Sequence, residues 1–132
     1  MLPLVVRAFP VLPGHEERAR KLARELRTTR ASAARDFYRR HGVARETWHV
    51  QTTTHGMLVI AVTQLSGLPV DVAAKSFGAS QEPFDRWLKD QVKHLTGIDA
   101  NLSPLGPPTE CIFDTGSGLA EGSRLARPDS AD

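Results

Sequence analysis

Residues 46–64 have the sequence Glu-Thr-Trp-His-Val-Gln-Thr-Thr-Thr-His-Gly-Met-Leu-Val-Ile-Ala-Val-Thr-Gln, and this stretch decides the fold. It predicts two β-strands joined by a tight turn at His55-Gly56, because glycine can take the positive φ that hairpin turns often need. The second arm, 57–64, is almost wholly apolar and rich in β-branched residues. We therefore expect this arm to be a strand that is buried on both faces.

The first arm of this hairpin alternates between its two faces. Successive side chains of a strand point to opposite sides of the sheet, so residues two apart share a side. One side holds Trp48, Val50 and Thr52, and the other side holds Thr47, His49, Gln51 and Thr53. The second side is polar and contains a histidine, which makes His49 a candidate for chemistry.

A first strand is predicted over residues 4–11, ahead of the break at Pro13-Gly14. Its even positions are Leu4, Val6, Ala8 and Pro10, and its odd positions are Val5, Arg7, Phe9 and Val11. Helical structure then follows from residue 15 to about residue 42. A weak point at Thr28-Thr29 divides it into an amphipathic first piece and a second piece over 31–41.

Two more helices and a last strand are predicted after the hairpin. A short helix follows Pro69 and ends near Gly78, and a longer helix over 81–95 begins behind Ser80 as N-cap. The last short strand is 110–113, so the domain is expected to span 1–113. Residues 114–132 are rich in Gly, Ser, Asp and Arg and are predicted to form a mobile tail.

The element order is therefore β-α-β-β-α-β, which is the ferredoxin-like α+β arrangement. It predicts a four-stranded antiparallel sheet with helices on one face. The central strand is apolar on both sides, so the face without helices would expose an apolar surface to water. A homodimer that packs sheet against sheet would bury this face.

Composition limits the classes of protein and partner. The chain has 132 residues, enough for one domain, with 40% hydrophobic and 24% charged residues. A net charge of +2 is too small to indicate nucleic-acid binding. No apolar run reaches the roughly 20 residues of a membrane helix, and the N-terminus does not resemble a signal peptide. The single cysteine, Cys111, excludes an internal disulfide, so a reducing cytoplasm is expected.

Two segments resemble a known superfamily. The first strand ends in Phe9-Pro-Val-Leu-Pro-Gly14 before a charged amphipathic helix, and this pattern resembles the opening of dimeric α+β barrel proteins. That superfamily includes the antibiotic-biosynthesis monooxygenase-like proteins, and the resemblance covers residues 4–113. Residues 79–87, Ala-Ser-Gln-Glu-Pro-Phe-Asp-Arg-Trp, resemble the start of the second helix in small uncharacterised members.

The resemblance implies a homodimer with a cavity beside each sheet. Some members of the superfamily are cofactor-free oxygenases, others bind haem or are isomerases, and many have no known activity. The matching segments specify the fold rather than the chemistry. No catalytic residue can be transferred, because the chain carries no active-site motif of a subfamily.

His49 and Arg7 are the candidate catalytic residues. His49 lies on a polar strand face, where a histidine can act as a general acid or base. The alternative is a hydrogen-bonded histidine on an exposed or interface face. Arg7 is a charge within an otherwise apolar strand face, where it can hold a carboxylate or phenolate. Its alternative is a salt bridge to an acidic residue.

Four further residues are assigned to substrate binding: Trp48, Gln51, Phe9 and Trp87. The leading hypothesis is a small cofactor-independent enzyme of oxygenase, isomerase or cyclase type that acts on an apolar or aromatic metabolite. His49 would move a proton, and Arg7 would stabilise developing negative charge. The alternatives are a non-catalytic small-molecule-binding or accessory protein of the same fold and, more weakly, a haem-binding protein.

Other motifs favour structural interpretations. The histidines lack HxH or HxxxH spacing, so no metal site is predicted. The segment 112–117, Ile-Phe-Asp-Thr-Gly-Ser, matches the aspartic-protease signature. Only 18 residues follow Asp114, however, so a strand end running into a turn is favoured. The basic run Arg35, Arg39 and Arg40 could bind an anion, but such runs are more often solvated helix faces. No Ser/His/Asp order supports nucleophilic catalysis.

Overall fold

A computed structural model describes residues 4–103 and 109–116. The elements in chain order are β1 (Leu4–Pro10), α1 (Glu16–Arg27), α2 (Ala31–Arg40), β2 (Val43–Thr53), β3 (Gly56–Leu65), α3 (Val70–Ala79) and α4 (Pro83–Thr96). The three strands form an antiparallel sheet in the order β1-β3-β2. The predicted α+β class and the hairpin are therefore confirmed, with the turn at Thr54-His55, one residue before the predicted His55-Gly56.

The strand register decides which side chains face the helices. Arg7 pairs with Ala61, and Ala61 pairs with Trp48, so these three residues form one row across the sheet. The neighbouring row towards the hairpin turn is Phe9, Val59 and Val50. Val59 belongs to the buried core, which also contains residues of α1, α2 and α4 such as Leu22, Phe37 and Leu88. Both rows therefore lie on the helix-covered face.

The opposite sheet face has no helix packed against it in the described residues. Its apolar members on β1 are exposed, with Leu4 at 60% and Val6 at 38%. On β3 the corresponding residues, Leu58, Ile60 and Val62, are only partly buried. The single chain therefore buries one face of the central strand well and leaves the other, named the open face below, partly exposed.

The helical predictions are confirmed in their main features. α1 ends at Arg27 and α2 begins at Ala31, so the chain breaks at the predicted Thr28-Thr29 position. Gly42 follows α2 with a φ of +70°, and Gly97 ends α4 in the left-handed region with a φ of +79°. Glycine is favoured at both positions because other residues are strained there.

The predicted fourth strand is not part of the described sheet, which has three strands. Residues 110–113 have no strand conformation, and Ile112 and Phe113 are 87% and 69% exposed. The hydroxyl of Thr109 donates a hydrogen bond to the carbonyl of Val6, so this segment touches the outer edge of β1. Of the predicted tail, residues 117–132 lie outside the described residues. Among the helices described, none is long and apolar enough to cross a membrane.

Candidate functional site

A cavity of about 150 Å³ lies between the helix-covered sheet face and the helices. Its walls are mainly apolar and include Val5, Phe9, Phe37, Trp48, Phe77 and Leu88. The charged groups at its border are Arg7 from β1 and Glu46 from β2, one on each outer strand of the sheet. Few polar groups in an apolar space are typical of a small-molecule site, where they fix the orientation of the ligand.

Arg7 is incompletely satisfied at this border. Its Nη1 donates to the carbonyl of Val6 at 3.0 Å, but its Nε is buried and has no hydrogen-bond partner. This Nε is the one buried side-chain nitrogen or oxygen without a partner in the part of the chain that the structure describes. The same part contains no acidic group in salt-bridge contact with Arg7. An unpaired buried donor lowers the stability of a protein by about 1–3 kcal/mol. The position of Arg7 therefore favours a ligand that can accept a hydrogen bond from its Nε.

Glu46 is held by three neutral donors. Its carboxylate accepts from the Tyr38 hydroxyl at 2.6 Å, from the Trp48 Nε1 at 2.7 Å and from the Thr63 hydroxyl at 2.6 Å. Burial and the neighbouring Glu46 charge raise the pKa of Tyr38, so its hydroxyl stays protonated and remains a donor. The result is a fixed carboxylate on the cavity wall, and no cationic side chain of the described residues forms an ion pair with it.

Glu46 is not among the site residues predicted above, although the sequence carries a signal for it. Glu46 lies two residues before Trp48 and therefore shares its strand face. In the register, Glu46 pairs with Thr63, and Thr63 pairs with Val5. An acidic side chain on the apolar face of a strand is unusual, and here it indicates the polar end of the cavity.

The structure separates the two predicted catalytic residues. Arg7 faces the cavity, but His49 pairs with Ile60 on the open face and is exposed. The Nε2 of His49 contacts the hydroxyl of Thr47 at 3.0 Å. The structure therefore does not bring His49 and Arg7 together within one chain. The physical reason is the alternation of β2, because Trp48 points inward and the next residue must point outward.

The predicted substrate-binding residues divide in the same way. Phe9 and Trp48 line the cavity beside Arg7. Gln51 pairs with Leu58 and lies exposed on the open face with His49. Trp87 packs against the hydrophobic core from α4, and the Arg30 guanidinium lies 3.8 Å from its ring centre. Trp87 is not among the residues that line the cavity in the described structure.

A buried polar cluster behind the cavity was not predicted. The Asp85 carboxylate is fully buried and accepts from Arg40 at 2.7 and 3.0 Å, from the Ser80 hydroxyl at 2.5 Å and from His41 Nε2 at 2.7 Å. Burial opposes ionisation of Asp85, but the hydrogen bonds from Arg40, Ser80 and His41 outweigh it and hold its pKa well below the usual range. The cluster joins the end of α2 to the start of α4.

Ser76, His41 and Asp85 form a hydrogen-bonded chain with triad-like distances. The Ser76 hydroxyl lies 2.7 Å from His41 Nδ1, while His41 Nε2 faces Asp85. Two observations argue against nucleophilic catalysis. The guanidinium of Arg40 already neutralises Asp85, and the residues found to line the cavity include His41 but not Ser76. We therefore infer that the hydrogen bonds from Ser76 and Asp85 serve to hold the His41 ring against the cavity wall.

Lys89 completes the packing around this cluster. It is 3% exposed, and its Nζ donates to the carbonyls of Gly78 and Ser80 at 3.0 and 2.8 Å. Burial lowers the pKa of Lys89. These bonds fix the segment between α3 and α4, so both helices are anchored where they border the cavity.

Within residues 4–103 and 109–116, no three His, Cys, Asp or Glu side chains come close enough to hold a metal ion. A comparison with known protein families found no matching family, and comparisons with characterised proteins and with solved structures found no similar chain.

Proposed function

We propose that this protein binds a compact apolar or aromatic metabolite that carries a negative charge. The apolar body occupies the cavity, and its anionic group accepts hydrogen bonds from Arg7. The observation that carries the proposal is the buried Nε of Arg7, which has no partner among the described residues and lies at the border of a mainly apolar space. A carboxylate or phenolate would satisfy it, and hydrogen bonds to charged groups contribute about 1.5–3 kcal/mol.

The cavity volume restricts the ligand. An apolar space of about 150 Å³ holds a benzene-sized molecule. It is smaller than the sites of roughly 300–1,000 Å³ that take drug-sized ligands. A single aromatic ring or a short branched aliphatic acid therefore fits, whereas haem is too large. The haem hypothesis finds no support in this geometry.

A catalytic function is the second candidate, and the position of Glu46 favours it. Glu46 and Arg7 border the same cavity, which is the combination that cofactor-free proton abstraction needs. Glu46 would take the general-base role first given to His49, and Arg7 would stabilise the negative charge that develops on the substrate. The proton would move from a C–H bond next to a carbonyl of the ligand to the Glu46 carboxylate, and the electron pair of that bond would remain on the ligand as an enolate.

We further propose that the chain acts as a homodimer of the dimeric α+β barrel type. The open face carries adjacent apolar residues from β1 and β3, including Leu4, Val6, Ile60 and Val62. A self-complementary contact through this face would remove them from water. The outer edge of β1, which Thr109 already touches, is where residues 110–113 would add a fourth strand.

The binding proposal is tested with three ligands of similar shape and different charge. We expect benzoate to bind and toluene to bind more weakly, and we expect benzylamine to be rejected in a Glu46→Gln background, where the wall carboxylate is removed and the cation would meet only Arg7. Titration calorimetry and Trp48 fluorescence provide the measurements. Arg7→Leu should remove the preference for benzoate, and Ala61→Leu should weaken both benzoate and toluene by filling the cavity. Equal binding of benzoate and benzylamine in the Glu46→Gln background would contradict the role of Arg7.

Catalysis is distinguished from binding by isotope exchange. Phenylpyruvate carries a carboxylate, an aromatic ring and an acidic C–H bond. If Glu46 is a base, the chain should accelerate exchange of this C–H proton in deuterated water, and Glu46→Gln should abolish the acceleration while binding remains. Binding without accelerated exchange would leave the protein as a non-catalytic binding protein.

A further inference from the structure

Arg7 and Glu46 carry opposite charges on the wall of the same cavity, but they do not neutralise each other. Both side chains line this space, and neither takes part in an ion pair within the described part of the chain. A charge that leaves water is costly unless it is paired. The cavity therefore offers a ligand one cationic and one anionic position.

The Glu46 carboxylate keeps one acceptor position for a ligand. The two oxygens of an ionised carboxylate offer about four lone-pair sites. Oε2 accepts from the Tyr38 hydroxyl and the Trp48 Nε1, whereas Oε1 accepts from the Thr63 hydroxyl alone among the described residues. These three donors are neutral, so the negative charge is hydrogen-bonded but not balanced. An ammonium group at Oε1 would supply both a donor and the opposite charge.

The sheet register keeps the two charged positions apart on the same face. Arg7 pairs with Ala61 of β3, and Glu46 pairs with Thr63, two residues further along that strand. Arg7 and Glu46 stand on the two outer strands. With about 4.8 Å between strands and about 3.4 Å per residue, their backbone positions are about 12 Å apart. A ligand with charges at opposite ends of one benzene ring, and a hydrogen bond of about 3 Å at each end, spans a distance of this order.

We propose that the ligand of the cavity is a compact zwitterion. Its carboxylate accepts from the Nε of Arg7, and an ammonium group at the opposite end of its apolar body donates to Oε1 of Glu46. This inference rests on the proposed binding function and narrows its ligand class, and it does not use the catalytic candidate, in which Glu46 would be a base. An α-amino acid carries both charges on one carbon and cannot reach both positions at once.

The test compares 4-(aminomethyl)benzoate with 4-ethylbenzoate by titration calorimetry at neutral pH. The two ligands have the same shape, but only the first carries an ammonium group. It should bind about tenfold more tightly, because it adds a charge-assisted hydrogen bond to Glu46. Phenylglycine, an isomer of 4-(aminomethyl)benzoate with adjacent charges, should show no such gain over 4-ethylbenzoate. A gain for neither ligand, or an equal gain for both, would overturn the proposal.

Glu46→Gln makes the matching change in the protein. It removes the charge and keeps the shape of the side chain, so the ratio of the two benzoate affinities should fall from about ten to about one. The control is Glu17→Gln, which changes the net charge equally on α1, where the Glu17 side chain is 81% exposed. The ratio should stay near ten in this control, and equal ratios in the two variants would contradict the role of Glu46. The comparison of ligands on the unmodified chain decides the question even if Glu46→Gln does not fold.

The same titrations separate this inference from the proposed function. Arg7-dependent binding of 4-ethylbenzoate, without a gain for 4-(aminomethyl)benzoate, would contradict the zwitterion and leave the proposed function standing. Failure of both benzoates to bind would overturn both proposals. Tight binding of 4-(aminomethyl)benzoate that persists in Arg7→Leu would contradict anion binding at Arg7, and with it both proposals.

Discussion

The guanidinium of Arg40 and the carboxylate of Asp85 meet in two hydrogen bonds, of 2.7 and 3.0 Å, although the residues are 45 positions apart. Asp85 is fully buried, whereas the Arg40 side chain keeps 27% of its surface exposed. Arg40 is the last residue of α2, and Asp85 lies in the first turn of α4. This ion pair therefore fixes the angle between the two helices that border the cavity.

Asp85→Asn should lower the free energy of unfolding by about 3 kcal/mol at neutral pH. Removing one charge of a buried pair leaves its partner and the surrounding donors without compensation. The exposed Asp36 also accepts from Arg40, so Asp36→Asn is a matched control that should cost less than about 1 kcal/mol. Chemical denaturation monitored by tryptophan fluorescence measures both changes. Equal losses in the two variants would contradict a special role of the buried carboxylate.

The same ion pair predicts how stability depends on pH. The folded pKa of Asp85 lies below its ordinary value of 3.8, so the unfolded chain binds more protons in acid. The contribution of Asp85 is therefore complete at neutral pH and is lost progressively as the pH falls below about 5. Denaturation midpoints measured from pH 7 to pH 3 should fall less steeply for Asp85→Asn than for the unmodified chain. Parallel pH profiles would show that Asp85 titrates normally.

Arg7→Leu should stabilise the fold and abolish anion binding. The buried Nε of Arg7 has no partner in the part of the chain that the structure describes. Leucine would replace the desolvation cost of this nitrogen with apolar contact to the cavity wall. We expect the free energy of unfolding to rise by about 1 kcal/mol. Arg24→Leu on the exposed face of α1 should change it by less than about 0.5 kcal/mol. A destabilised Arg7→Leu variant would indicate that Arg7 serves the fold rather than a ligand.

Local patterns were sufficient to predict most of the fold. The hairpin follows from alternation in residues 46–53 and the apolar run after Gly56, and both patterns depend only on neighbours in sequence. The same holds for the helix break at Thr28-Thr29. The fourth strand at 110–113 could not be predicted reliably in this way, because four residues carry too little pattern to decide whether they pair with another strand. Whether they pair depends on the free edge of β1, which the local sequence does not describe.

The site could be predicted only in part. Arg7, Phe9 and Trp48 were identified because each stands out on its own strand. The separation of His49 from Arg7 could not be predicted, because it depends on the register in which β1 and β2 pair with β3. The Arg40–Asp85 pair had no local signal at all, since its partners meet only after the helices pack. Long-range charge pairs and strand register are tertiary properties that one sequence does not reveal.

Gly42→Ala should destabilise the fold more than Gly14→Ala. Both glycines have positive φ, +70° and +86°, so alanine is strained at each by about 1 kcal/mol. A Cβ at Gly42 would lie 2.6 Å from Cδ1 of Leu68, whereas nothing lies within 4 Å at Gly14. The additional clash should cost about 1 kcal/mol more. Thermal denaturation of both variants measures the cost of this clash as the difference between their losses of stability. Equal losses of stability would show that Leu68 moves aside freely.

Ile60→Arg should convert a homodimer into a monomer. Ile60 lies on the central strand, pairs with Ala8 and His49, and belongs to the open face. An arginine there would place a charge within the proposed contact, where it lacks a partner. Val72→Arg is the control, because Val72 is 43% exposed on α3, away from the sheet. Sedimentation velocity at micromolar concentration should show a dimer for the unmodified chain and for Val72→Arg, and a monomer for Ile60→Arg. A monomeric unmodified chain would mean that the open face tolerates water and that the barrel-type dimer does not form.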